Sequence, residues 1–194
     1  LQHRGQDAAG MITFDFNEPE SGIKISKDIG LVSTVFNDAK LLSVNGQMGI
    51  GHTRYPTVGV GDVKEVQPFF NRYPDGIGLA FNGNVVNYPV LKEKLRQRRV
   101  YLSSNSDAEV LLEVFGDSYG KSKADGVEAV YSAGKKVYDE AIGGYSVIAI
   151  IANKGIAAFR DPNGIRPLVM GEKKANGKKS YAFASESIAL SIQG

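Results

Sequence analysis

Gly76-Ile77-Gly78-Leu79-Ala80-Phe81-Asn82-Gly83-Asn84-Val85-Val86-Asn87, residues 76–87, is the stretch on which the reading of this chain turns. Its first eight residues form a β-rich run. Asn82-Gly83 is the dipeptide of a two-residue hairpin turn, and between two strands that would be its meaning. No return strand comes after it. Val85-Val86-Asn87 runs into a helical pattern: Asn87 can cap it, Pro89 fits its first turn, and Val90, Leu91 and Leu95 share one face. The stretch therefore marks a switch from strands to helices.

On its N-terminal side lie further β-rich runs, at residues 11–16, 22–26 and 48–54. On its C-terminal side two more helical patterns precede a second group of strands. Ser106-Asp107-Ala108-Glu109 matches a capping box and is followed by Val110, Leu111, Val114 and Phe115 at helical spacing. Residues 125–128 repeat the start signal ahead of Val127, Val130, Tyr131, Val137 and Tyr138. The later β-rich runs cover residues 144–152, 155–161, 167–171 and 180–185, with Asn153-Lys154 as a tight turn between the first two. Strands, then helices, then strands predicts an α+β domain of mostly antiparallel sheets rather than alternating βαβ units.

The 194 residues carry 23 Lys and Arg against 21 Asp and Glu, a net charge of +2. That balance implies no nucleic-acid or acidic-lipid partner, and the basic run at residues 92–99 reads as a solvated helix face. Size and composition fit one soluble domain, residues 1–194, with room for a sizeable core. The sequence has no cysteine and two histidines, His3 and His52. Disulfides, thiolate metal sites and a cysteine nucleophile are thereby excluded from these residues, as is a histidine-rich metal cage. No apolar run approaches membrane-spanning length. The expected location is the cytoplasm. No phosphate-binding GxxxxGK[ST] loop is present, and Gly59-Val60-Gly61 lacks the third glycine of a dinucleotide fingerprint.

Three segments are polar where folding alone would not ask for it. Gly51-His52-Thr53-Arg54-Tyr55-Pro56-Thr57 ends a strand with an arginine whose fork can hold a carboxylate by two charge-assisted hydrogen bonds; an ordinary surface ion pair is the alternative. In Phe81-Asn82-Gly83-Asn84, an Asn amide beside a Gly N–H in a strand-to-helix turn could supply the two converging donors of an oxyanion hole. Asp107 is either a first-turn carboxylate favoured by the helix dipole or the acceptor of a ligand ammonium. Arg54 for a carboxylate and Asp107 for an amine would together hold the head group of a free amino acid.

LQHRGQDAAG (residues 1–10), GHTRYPT (51–57), FNGNVVN (81–87), SNSDAE (104–109), FRDPNGIRPL (159–168) and ASES (184–187), in that order, resemble the glutaminase domain of the amidophosphoribosyltransferases, within the class II glutamine amidotransferases. The resemblance covers the chain from Leu1 to about Ser187. It implies the N-terminal-nucleophile hydrolase fold, a four-layer αββα sandwich of two mostly antiparallel sheets. The family's nucleophile is an N-terminal cysteine whose own α-amino group can act as base. By resemblance, the Asn82 side chain and the Gly83 N–H form the oxyanion hole. Arg54 binds the glutamine α-carboxylate and Asp107 its α-ammonium. Arg4 and Gly5 lie against the nucleophile. Tyr55 and Pro56 belong to the loop that closes over glutamine, and Thr57 adds a polar contact. Residues 160–168 are given a mainly structural role, with Asp161, Asn163 and Gly164 in a tight turn.

The resemblance further implies a partner domain of the same polypeptide, a phosphoribosyltransferase, and assembly of the intact protein as a homo-oligomer. No cofactor or metal belongs to the glutaminase domain; magnesium is expected with phosphoribosyl pyrophosphate in the partner domain. The expectation is of a domain truncated at both ends, lacking the cysteine-bearing first strand, unable to hydrolyse glutamine and poorly folded because an unpaired sheet edge is exposed. Two departures stand out: Phe81 replaces a histidine usual in the family, and Val60-Gly61-Asp62 replaces a segment often rich in serine. They leave a second reading open, a nucleophile-free glutamine-binding or regulatory module. A third would recruit Ser185 with His52 as nucleophile and base.

Overall fold

A computed structural model describes residues 1–55 and 62–193. Two antiparallel sheets form its centre. The first has three strands, β1 (Ala8–Phe14), β2 (Ile23–Ile29) and β3 (Met48–Arg54), ordered β2-β1-β3. The second has four, β4 (Phe69–Asn71), β5 (Ile77–Val85), β6 (Gly143–Ile151) and β7 (Gly155–Arg160), in that spatial order. Successive side chains of a strand point to opposite faces, and this alternation builds two cores. Ile12, Phe14 and Ile50 of the first sheet meet Ala80 and Ile150 of the second in a buried inter-sheet cluster. The sheets come close there: a Cβ on Gly78 would stand 2.8 Å from Ile12 Cδ1.

Two short helices, α1 (Val32–Val35) and α2 (Asp38–Ser43), lie along the first sheet. Three longer ones, α3 (Tyr88–Gln97), α4 (Asp107–Lys121) and α5 (Gly126–Glu140), stand between the strand groups in sequence. They cover the other face of the second sheet, where Leu79, Phe81, Tyr145 and Val147 pack against Leu91, Leu111, Phe115 and Val137. The result is a layered α+β domain with antiparallel sheets, as the strand-helix-strand order predicts. The turn at Asn153-Lys154 joins β6 to β7, with Asn153 at φ 60°.

Several local expectations are corrected. The runs at 167–171 and 180–185 form a hairpin of their own, β8 (Val169–Ala175) and β9 (Lys178–Ala184), a third sheet rather than part of the other two. Its turn is Asn176-Gly177, both at positive φ (51° and 74°), the geometry of a two-residue hairpin loop. Helix α6 (Ser187–Ser191) packs on β9. On α3, Val90 is exposed while Leu91 and Leu95 are buried. On α5 the buried face is Ala129, Ala133 and Val137, and Val127 and Tyr131 face solvent. Small side chains let α5 approach its neighbours, so the large apolar residues were the misleading ones. The capping box is half formed. Ser106 accepts from Ala108 N–H, but the Glu109 carboxylate takes the N–H and hydroxyl groups of Ser103 and Ser104 instead.

Candidate active site

Asn82 and Gly83 lie inside β5, paired with Ser146 and Tyr145 of β6. The strand-to-helix turn expected at these two residues comes later, at Val86-Asn87. The glycine answers to a close approach, not to a turn: a Cβ on Gly83 would stand 2.3 Å from the Gly144 carbonyl oxygen and 2.6 Å from Tyr145 Cα. Two neighbouring amides on the same edge of the strand are engaged. Phe81 N–H donates to Gln67 Oε1 at 2.7 Å, and Val85 N–H donates to Asp107 Oδ2 at 3.0 Å. Strand alternation points Gly83 N–H to that edge, between them and away from β6. Tyr145, its partner across the ladder, is engaged with Asp161 on the far side. Gly83 N–H has no acceptor among the described residues. Beside it, Asn82 Nδ2 is buried and also without a partner.

Asp107 opens α4, yet its carboxylate caps the end of β5 through Val85. Burial raises its pKa, partly offset by the Val85 N–H. Arg54 ends β3 and pairs with Asp7, Nη1 to Oδ2 3.1 Å, both side chains largely covered. Gly5 is buried where a Cβ would stand 2.5 Å from the Thr53 main chain, so the segment before β1 lies flat on the end of β3. Arg4 closes a 3-10 turn (Gln2–Arg4) and reaches the far end of the chain. Its Nη1 stands 3.0 Å from Glu186 Oε1, and His3 Nε2 lies 2.8 Å from Glu186 Oε2. Tyr55 is exposed. Pro56 and Thr57, with Val60 and Gly61, lie outside the described residues.

A cavity of about 880 Å³ runs from the N-terminal turn past the inter-sheet space to β9, lined by Arg4, His52, Asn82, Ser146 and Phe183 among others. Arg54, Gly83 and Asp107 are not in its lining. The structure therefore brings Asn82 together with Arg4 along one cavity and Gly83 together with Asp107 along one strand edge. It shows no contact between Arg54 and Asp107. His52 lines the cavity as well. Burial drives its pKa down to about 4, a hydrogen bond to the Phe81 main chain opposes this, and the Arg54 charge lowers it further. A base that weak is poorly suited to activate Ser185 near neutral pH.

Three supporting residues were not assigned roles from sequence: Asp7 pairs with Arg54, Gln67 anchors Phe81, and Glu186 receives Arg4. Asp161, expected in a tight turn with Asn163 and Gly164, is in that turn and also ties it to β6. Asp161 is 2% exposed and accepts from the N–H groups of Tyr145, Asn163 and Ile165. Burial opposes its ionisation, but these main-chain donors outweigh it and hold the pKa low. Asp7, Asp161 and Glu186 all fall within the quoted motifs; Gln67 carried no signal.

A strand-edge amide free to donate, an orphaned Asn amide beside it and carboxylate and guanidinium groups at neighbouring strand ends suit a domain that binds a small amide. Residues 8–194 match the glutamine amidotransferase domain family, and the chain belongs to it. Within that family it is similar to amidophosphoribosyltransferases: 48% identical over 198 residues to that of Pasteurella multocida (strain Pm70), covering 100% of this chain and 38% of the relative. Against the enzyme of Escherichia coli (strain K12) it is 42% identical over 201 residues, covering 100% of this chain and 39% of the relative. The fold is similar to glutamine phosphoribosylpyrophosphate amidotransferase from B. subtilis complexed with ADP and GMP, with a TM-score of 0.79 and 29% identity over 99% of this chain and 38% of that one. The chain thus spans under two fifths of the length of these relatives.

Proposed function

We propose that this chain is the glutamine-hydrolysing part of an amidophosphoribosyltransferase of N-terminal-nucleophile hydrolase type. Asn82 and Gly83 form the oxyanion hole, Arg54 and Asp107 hold the glutamine head group, and Arg4 and Gly5 lie against the nucleophile. Tyr55, Pro56 and Thr57 belong to the loop over glutamine. The ammonia released passes to phosphoribosyl pyrophosphate, held with magnesium in a phosphoribosyltransferase domain of the same polypeptide, giving 5-phosphoribosylamine by glycosyl transfer at the first step of purine synthesis. The intact enzyme works in the cytoplasm as a homo-oligomer.

The observation that supports this reading best is the Gly83 N–H. It faces an edge where both neighbouring amides are satisfied, and it stands next to the orphaned Asn82 amide. An unpaired buried donor costs about 1–3 kcal/mol, and two unengaged donors on adjacent residues are the kind of groups that stabilise a developing oxyanion. The sequence holds no cysteine, so thiolate attack on glutamine is not available to these 194 residues. The test measures ammonia release by the chain alone and by the chain extended ahead of Leu1 with a cysteine-bearing segment of a relative. No release is expected from the first and turnover from the second, with Asn82→Ala lowering turnover by roughly 10²–10³. Undiminished turnover in Asn82→Ala and Asp107→Ala contradicts the assignment.

A second reading, a glutamine-binding module without a nucleophile, is favoured by the absence of cysteine and by Phe81. That side chain packs into the helix-side core, its ring 6.5 Å from that of Tyr145. Glutamine binding with no turnover in the extended chain would support it.

A further inference from the structure

The inter-sheet core ends in polar groups. Ile50 of β3 belongs to that core, and alternation puts His52 on the same face, two residues on. Ala80 of β5 belongs to it too, which turns Asn82 toward the first sheet. Ser146 stands opposite Asn82 on β6. His52, Asn82 and Ser146 all line the 880 Å³ cavity. Two of them carry buried atoms without partners, His52 Nδ1 and Asn82 Nδ2.

These two orphans differ in kind. Asn82 Nδ2 is a donor. His52 is neutral near pH 7, so its ring has one N–H and one lone pair. Phe81 N–H is engaged by Gln67, so the Phe81 main chain offers the ring only its carbonyl, toward which the ring N–H is the group that can donate. The lone pair remains. A buried donor from one sheet and a buried acceptor from the other, lining the same cavity, match a primary carboxamide, which accepts at oxygen and donates at nitrogen.

We propose that His52 is a specificity-determining residue that, with Asn82, reads the side-chain carboxamide of glutamine: His52 accepts from its N–H while Asn82 donates to its oxygen. The inference rests on the glutamine-pocket reading above and deepens it. Arg54 lies on the same face of β3, two residues further, about 7 Å along the strand. One strand face would then carry a group for each end of a five-carbon amino acid.

The experiment uses the 194-residue chain and two probes, L-glutamine and L-glutamate γ-methyl ester, which keeps the head group and carbonyl oxygen but has no side-chain N–H. Binding is followed by calorimetry, and the ring nitrogens of the two histidines by ¹H–¹⁵N correlation spectra. Wild type is expected to prefer glutamine by about tenfold, the scale of one neutral hydrogen bond, with one His52 ring nitrogen shifting on glutamine but not on the ester. The preference should vanish in His52→Leu and return in part in His52→Asn, which keeps an acceptor near the Nδ1 position. Wild type that binds glutamine and ester equally, an unmoved His52 resonance, or a preference retained in His52→Leu overturns the role of His52 alone. Wild type that binds neither probe removes the pocket reading and this role with it.

Discussion

Gly83 lies against the Gly144 main chain with no room for a side chain: a Cβ on Gly83 would meet the Gly144 carbonyl oxygen at 2.3 Å. The contact is backbone to backbone, so neither side can give way without shifting the β5–β6 ladder. Gly83→Ala is expected to destabilise the domain by about 1–3 kcal/mol or more, the range of overpacking in a tight core, and to abolish glutamine binding by displacing the adjacent N–H. Urea unfolding and glutamine calorimetry check both effects. A cooperative wild-type transition in the same experiment would count against the expectation that the chain folds poorly.

Asp107 separates structure from binding. Its Oδ2 accepts from Val85 N–H while burial penalises its charge. Asp107→Asn keeps an acceptor for Val85 and loses the charge, so stability at pH 7 should hold within about 1 kcal/mol while glutamine affinity falls at least tenfold. Asp107→Ala removes the acceptor as well, and should cost about 1–3 kcal/mol. Glutamine affinity unchanged in Asp107→Asn contradicts a role in holding the ammonium.

Gln67 is 8% exposed and anchors Phe81 N–H at the approach to Asn82. Gln67→Met fills similar space but leaves that amide unsatisfied. A loss of about 1–3 kcal/mol is expected, with faster hydrogen exchange at Phe81 than in wild type.

His52 should give the fold an acid-sensitive component. Its folded pKa, about 4, lies below its ordinary value of 6.5. Between these values the unfolded chain binds a proton that the folded chain does not, so stability is intact above pH 6.5 and declines as pH falls toward 4. The full effect is roughly 3 kcal/mol. Asp107 and Glu113, whose pKa values burial raises, act in the opposite direction. The difference between wild type and His52→Leu isolates the histidine: the variant should lose less stability between pH 6.5 and pH 4.5.

The layering was legible in the sequence because it depends on grouping. Strands at each end and three capped helical patterns between them allow few arrangements, and the residue 48–54 run matches β3 end to end. Helix faces were less legible. Val127 and Tyr131 have the spacing of a core stripe, yet Ala129 and Ala133 make the contact. Apolar bulk therefore misled where close approach required small residues. At the site, Asn82-Gly83 carried its local turn signal into the interior of a strand, because pairing with β6 overrides dipeptide preference. The partners of Arg4, Arg54 and Phe81 lie 182, 47 and 14 residues away in sequence. No local pattern encodes such distances.

In the proposed site, Gly83 N–H and the Asn82 amide together receive the glutamine side-chain oxygen. Titrating a ¹⁵N-labelled chain with L-glutamine reads that contact itself. The Gly83 amide and the Asn82 side-chain NH₂ resonances should shift together and saturate with the same affinity that calorimetry reports. Glutamine binding that leaves both resonances in place, while others move, would contradict the oxyanion-hole assignment.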